Sequence, residues 1–322
     1  MRTRATALIL PLALWARALG AQQSQCPSTL PSPGLAACNT AVDAVRAFHP
    51  LAGMIVIGGN PVLGTAGSLG GLGHLSVSAR VNAIKASLPD PSAGQTPVPS
   101  SFDGLVPAPV VEAAVGLATG RHGLLSIDAL GSAVVLPTSG VAKLSVDSSA
   151  AHVGSAALGI GFGARVGILG GAFPVPAVSV SWMHRTLPRL QYGSLGPQFG
   201  QGDQYEFNMD LRADNYRAVA GWTFPFVDVA AGIGIDHYTS SQTNIRFYQS
   251  PGLPFQVDTV VINPTNTREV LFADGAVQLA MLKLVAELGF QTGKDQGFAT
   301  TFRDFDPKAG HVFGGIGVRF GF

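Results

Sequence analysis

Charge is scarce in this chain: only 12% of its 322 residues are Asp, Glu, Lys or Arg, and the formal net charge is +1. A field that weak excludes long-range attraction to nucleic acid. Cysteine is nearly missing, with Cys26 and Cys38 alone, and the nearest histidine to them is His49. Seven histidines (His49, His74, His122, His152, His184, His237 and His311) are scattered without metal-ligand spacing, so no metal site or cofactor is expected. Long apolar runs are also lacking. Beyond the first residues no stretch reaches the ~18 consecutive apolar residues of a spanning helix, which excludes a helical membrane protein. What is present is grease and glycine: 47% hydrophobic residues, 41 glycines and a mean hydropathy of +0.32. That composition excludes disorder, and glycine without a period of three excludes collagen.

The first residues indicate the compartment. Residues 1–21, MRTRATALILPLALWARALGA, have a basic start, an apolar run from Ala5 to Ala16, and small residues at Ala18, Gly20 and Ala21. This is the layout of a cleaved secretory signal, and its apolar run is shorter than the ~20 residues of a membrane anchor. Its removal takes Arg2, Arg4 and Arg17 and turns the charge balance slightly negative. Ser24 and Gln25 precede Cys26 where lipid attachment needs a small-residue box. In an oxidising compartment Cys26 and Cys38 can form one disulfide across a Pro-rich loop, or remain two free thiols. An exported, greasy chain without spanning helices is either a secreted all-β domain or a barrel that crosses the bacterial outer membrane with strands.

Period-two alternation is the informative pattern. Between Gln204 and Asp214, Tyr205, Phe207, Met209, Leu211 and Ala213 share one face, while Glu206, Asn208, Asp210 and Arg212 share the other. No helix sorts residues this way. The alternation recurs over Leu75 to Ala83 and Leu158 to Ile168. Further strands are predicted over Val110 to Thr119, Leu124 to Leu136, Ala177 to Arg185, Tyr216 to Phe224, Val227 to Tyr238, Phe255 to Ile262, Thr267 to Ala273, Leu282 to Gln291 and Val312 to Phe322. Ala276 to Leu288 reads as helix by composition but as strand by alternation in its second half. The total is about twelve strands, with a range of roughly ten to fourteen, many as long as the ~9 to 11 residues of a tilted membrane strand. Long loops are expected at 88–109, 186–203, 239–256 and 293–310, and short connectors at Gly120 to Gly123 and Ala213 to Asn215. That asymmetry, with Trp182, Tyr192, Tyr205, Trp222, Phe224, Phe226 and Tyr238 near strand ends as girdles, fits an outer-membrane barrel.

In that reading the apolar faces meet lipid and the polar faces line a lumen. Arg80, Glu112, Asp128, Arg165, Glu206, Asp210, Arg212, Asp228, Glu287 and Arg319 then point inward, because a basic residue at mid-depth in hydrocarbon costs about 2 to 4 kcal/mol. They pair across strands, hold a plug, or orient a ligand head group. The GIGFG run, Gly159 to Gly163, lies within an alternating strand with no helix after it, so it is not a dinucleotide loop. No G-x-S-x-G motif is present, and an enzymatic role is not expected.

The final HVFGGIGVRFGF places Ile316, Val318, Phe320 and Phe322 on one face. It resembles the closing strand of bacterial outer-membrane barrels, and the resemblance implies recognition of Phe320 and Phe322 by the barrel-assembly machinery. A second resemblance begins at GNPVLGTAGSLGGLGHLSVSARVNAI, residues 59–84, where Asn60 and Pro61 match the Asn-Pro-Ala motif of FadL-type long-chain fatty-acid transporters and Val62 departs from it. It implies a domain division into residues 22–58, a hatch plugging the lumen, and residues 59–322, the barrel. A short helix at Thr40 to Phe48, capped by Asn39 and followed by Pro50, suits such a hatch; a periplasmic tail is the alternative. The expected function is passive uptake or binding of hydrophobic small molecules at the outer membrane, with membrane lipid as a further partner. A porin-like or structural barrel is the alternative.

Overall fold

The computed structural model describes residues 25–93, 97–120, 125–137, 143–146, 152–153, 156–170, 174–196, 202–249, 256–294, 300–306 and 308–321. The expected signal peptide and Phe322 lie outside them. One helix, α1 (Ser32–Ile57), precedes the strands β1 (Leu75–Pro89), β2 (Ser100–Ala118), β3 (Ser126–Pro137), β4 (Leu144–Val146), β5 (His152–Val153), β6 (Ala156–Gly170), β7 (Ala177–Tyr192), β8 (Tyr205–Thr223), β9 (Val227–Thr239), β10 (Thr243–Tyr248), β11 (Val257–Ile262), β12 (Thr265–Leu279), β13 (Leu282–Gln291) and β14 (His311–Gly321). Among the described residues ten of these strands close an antiparallel ring in the order β1, β2, β3, β6, β7, β8, β9, β12, β13, β14 and back to β1. The other four lengthen the wall: β4 joins β7, β5 joins β6, and the β10–β11 hairpin continues from β8. The expected strand total of about twelve thus resolves into ten wall strands and four accessory ones.

One end of the ring has the turns at 224–226 and 280–281, with most of the connector expected at Gly120 to Gly123 lying outside the described residues; the other end joins β1 to β2, β3 to β6, β7 to β8, β9 to β12 and β13 to β14 over longer stretches of chain. The outer wall is apolar. Val81, Val111, Phe162, Ile233, Leu271, Leu284, Leu288 and Ile316 are all exposed on it. A soluble sandwich would bury such residues between two sheets; here the ring closes and they point away from it.

α1 is long and apolar enough to cross a bilayer, yet it is almost wholly buried inside the ring. It corrects the expected short helix. Asn39 is an interior residue rather than the cap, Pro31 occupies the cap position without a side-chain hydrogen bond, and Pro50 lies within the helix. A proline there removes one backbone hydrogen bond. Packing against the wall, which no local pattern reveals, lets the helix continue through it.

The lumen has two tiers. On the long-loop side α1 meets a greasy wall that includes Leu88, Leu190, Tyr192, Tyr205, Phe207, Met209, Leu211, Tyr238, Ile245, Phe247 and Phe272. On the short-turn side the wall is ionic. This reverses the face assigned to the first half of β8: Tyr205, Phe207, Met209, Leu211 and Ala213 turn inward, while Asp210 and Arg212 turn outward, with Glu206 on the same outer face. The reason is the apolar helix, which makes the interior the favourable place for that face at that height. Tyr192, Tyr205 and Tyr238 are likewise interior rather than girdle residues, whereas Trp222, Phe224 and Phe226 are exposed at the short-turn end.

Two predicted breaks are also corrected. β8 runs unbroken through Ala213 to Asn215, with Asp214 facing out and Asn215 facing in. β2 starts at Ser100 despite Pro107 and Pro109, because pairing with β3 begins only at Val110, so both prolines lie on a locally free edge. Ala276 to Leu288 divides into the end of β12, a turn at 280–281, and β13.

An arginine placed on the mid-height outer wall, Ile316→Arg, is expected to lower unfolding stability in lipid vesicles by about 2 to 4 kcal/mol. Phe207→Ala, inside against Phe48, should cost about 3 to 5 kcal/mol, and Arg212→Leu under about 0.5 kcal/mol. Denaturant titration of the vesicle-inserted protein measures all three, and a neutral Ile316→Arg would refute a lipid-facing wall.

Candidate functional site

Below α1 the chain from Gly58 to His74 continues down the lumen to β1, and the wall grips it there. A helix end leaves carbonyls without partners and carries partial negative charge. Three arginines from three strands meet that end. Arg80 Nη2 of β1 and Arg185 Nη1 of β7 both donate to Ile57 O, at 2.9 and 2.7 Å. Arg217 of β8 donates to Gly58 O at 3.0 Å and Gly59 O at 2.9 Å. Asn82 adds a bond to Ile55 O at 3.1 Å. Gly58 has φ 64°, a left-handed conformation that a side chain would strain, and it turns the chain out of the helix.

Carboxylates hold the arginines and the next backbone donors. Glu112 bridges Arg80 at 3.0 Å and Arg185 at 2.7 Å. Glu287 pairs with Arg80 at 3.3 Å and accepts the backbone N–H groups of Gly59 and Asn60 at 2.8 and 2.7 Å. Asp236 pairs with Arg217 at 2.7 Å. Asn60 donates to Asp274 at 3.0 Å and accepts the Val62 N–H at 3.1 Å, so the Asn-Pro element is a buried joint of the plug. Lower still, Arg319 donates to Leu63 O at 2.6 Å and pairs with Asp228, which also takes Lys283. Arg165 pairs with Asp128, whose carboxylate accepts Leu69 N–H at 3.3 Å.

Of the ten residues expected to line the lumen, Arg80, Glu112, Asp128, Arg165, Asp228, Glu287 and Arg319 thus converge on the plug. Glu206, Asp210 and Arg212 do not. Glu206 binds Arg246 and the Leu195 N–H on the outer side of β8, and Asp210 accepts from Ser241. Sequence reading missed Arg185, Arg217, Asp236 and Asp274. The alternation of Arg217 with Tyr216 and Ala218, and of Asp236 with Ile235 and His237, held the necessary signal. Arg185 and Asp274 fell at predicted strand ends. Gly161 belongs to this site too: a Cβ there would approach the Arg185 stem to 2.6 Å, so glycine leaves the arginine its path to Ile57.

The long-loop end has its own tie. Lys143 binds Asp90 at 2.8 Å and Asp203 at 2.7 Å, joining three loops. Burial opposes the Lys143 charge, but the hydrogen bonds it donates to both carboxylates outweigh this and raise its pKa. Burial likewise disfavours charge on Asp90, and bonds from Lys143 and Ser92 outweigh that and lower its pKa. Over the helix, Asp43 accepts Thr301 N–H at 2.8 Å, and Val98 bridges Phe302. Cys26 and Cys38 form a disulfide. Among the described residues no cluster of three or more His, Cys, Asp or Glu is placed to hold a metal ion. On the outer wall His184 Nδ1 lies 3.0 Å from Asp214 Oδ1, which also accepts Trp182 Nε1.

No described protein family and no curated protein matches the chain. Similar solved structures include the outer membrane protease OmpT from Escherichia coli, at 10% identity and TM-score 0.40 over 77% of this chain and 96% of that one. The translocator domain of autotransporter NalP from Neisseria meningitidis has 12% identity and TM-score 0.41, covering 78% and 88%. The toluene transporter TodX from Pseudomonas putida has 14% identity and TM-score 0.33, covering 83% and 99%. At these identities and scores no activity passes from them to this chain.

Glu287→Ala strips the acceptor from Arg80, Gly59 and Asn60 and is expected to destabilise the fold by about 3 to 5 kcal/mol, as breaking a buried pair does; amide exchange at Gly59 and Asn60 should accelerate with it. The loop tie depends on pH with a definite sign. Because folding lowers the Asp90 pKa, its stabilisation is complete above the unfolded carboxylate value of about 3.9 and is lost as pH falls through the lower folded value. Protection of the Ser92 N–H, which donates to Asp90, measured against its intrinsic exchange rate, should therefore fall in acid below about pH 4, and Lys143→Ala should raise the midpoint of that transition.

Proposed function

We propose that the chain is an outer-membrane β-barrel, sealed by its own N-terminal segment, for passive uptake or binding of hydrophobic small molecules. The observation that carries this reading is the two-tier lumen inside an apolar outer wall. The wall suits acyl chains, and the long-loop end suits the cell exterior, as in outer-membrane barrels generally. The greasy outer tier is packed against α1, so it meets an apolar solute only once the plug moves, and the α1 seat closes the path in the resting state. Movement of the plug then opens it, and catalysis plays no part. The FadL-type resemblance at Asn60 and Pro61 agrees with a hatch at this position. A porin-like barrel instead needs a polar, water-filled lumen, and here α1 and the chain after it occupy that space.

In planar bilayers the purified protein should be nearly silent, and Arg80→Ala combined with Arg185→Ala, which frees Ile57 O, should produce intermittent conductance. Cells carrying the protein should take up labelled long-chain fatty acid or hydrocarbon several-fold faster than cells without it. Large steady conductance of the unmodified protein would favour a pore, absence of both binding and uptake would remove the hydrophobic-ligand reading, and extraction without detergent would remove the membrane reading.

A further inference from the structure

The path of the chain before β1 has a definite direction. Gly34 packs on the backbone of Gln249, beyond the end of β10, so closely that an added Cβ would lie 2.4 Å from its carbonyl oxygen. Asp43 reaches Thr301 in the long β13–β14 connection. Phe48 meets Phe207, and Gly53 lies against the Tyr238 ring. Ile57 sits on Arg80 and Arg185 at mid-lumen, Leu63 on Arg319, and Gly71 against Thr119 at the short-turn end. The descent is continuous. The chain enters at the long-loop mouth, traverses the whole barrel, and only then begins its first strand.

Both ends of that path are fixed. Below, the arginine seat holds Ile57 to Asn60. Above, the disulfide ties Cys26 back to Cys38 in the second turn of α1, so the head of the plug is two chains thick. A bare helix with side chains is already about 10 to 12 Å across. Its doubled head does not slip down a lumen packed around the single helix, and residues 25–31 stay at the long-loop mouth.

We propose that the barrel presents the loop closed by Cys26 and Cys38 at the outer face of the cell, with α1 as the stalk that ties it to the arginine seat. The C-terminal strand ends at the opposite, short-turn end, so the two ends of the described chain face different compartments. This goes beyond uptake of small molecules and gives the barrel a second role, display of its own disulfide-closed N-terminal loop. It shares with the proposed function only the assignment of the long-loop end to the exterior.

The test uses the full chain expressed in a bacterium with an outer membrane, carrying one peptide epitope at a time. The sites are between Gln23 and Ser24, within residues 250–255 of the long β10–β11 connection, and between Ala280 and Met281 in a short turn. On intact cells antibody should label the first two, and the third only after the outer membrane is permeabilised. A site-specific protease sequence at the Gln23–Ser24 position should be cut by enzyme added outside, shortening the protein without permeabilisation. If the Gln23–Ser24 epitope stays dark on intact cells while the 250–255 epitope is labelled, display is refuted and the barrel orientation stands. If the 250–255 epitope is dark and the Ala280–Met281 epitope is labelled, the orientation itself is wrong, and display falls with it.

Discussion

Three guanidinium groups, reaching inward from β1, β7 and β8, close on the carboxyl end of one helix, and the rest of the molecule is arranged around that contact. Each group satisfies carbonyls that the helix itself leaves open, and each is in turn held by a carboxylate on the wall. Such an array has little tolerance for a missing member. A buried guanidinium without its carboxylate, or a carboxylate without its arginine, is an uncompensated charge in a poorly solvated interior. Wall and plug therefore stabilise each other, and neither has a satisfied interior alone.

The contact also divides the lumen. Above it the helix is apolar and the wall turns apolar residues toward it; below it the chain is irregular, with exposed backbone groups that require polar partners. The change of character within β8 follows: Leu211 and Ala213 face the helix, then Asn215 and Arg217 face the seat and the chain beyond it. One strand thus obeys two rules along its length. The outward face shifts correspondingly, from Asp210 and Arg212 near the long loops to Tyr216 and Ala218 along the apolar wall.

Much of the fold was legible because strand alternation is local. Leu158 to Ile168 and Leu75 to Ala83 carry their pattern without ambiguity, and the charges on β1, β6, β13 and β14 face where that pattern put them. β8 was misread for a physical reason: alternation identifies two faces but not which one meets lipid, and an apolar plug makes the interior as greasy as the outside. The same ambiguity misplaced Tyr192, Tyr205 and Tyr238. Pro107 and Pro109 concealed the first half of β2, since whether a proline lies on a paired or a free edge depends on where the neighbouring strand begins.

By itself the sequence determined that strands form, roughly where, and that each sorts its residues onto an apolar and a polar face, because propensity, period and composition act over a few residues. Only the tertiary structure decided that ten strands close around a 26-residue helix, that Arg185 and Arg217 join Arg80 at one helix end, and that the chain runs from the long-loop mouth downward. Those outcomes depend on contacts between residues more than a hundred positions apart, whose free energy exists only once the ring has closed and removed them from water.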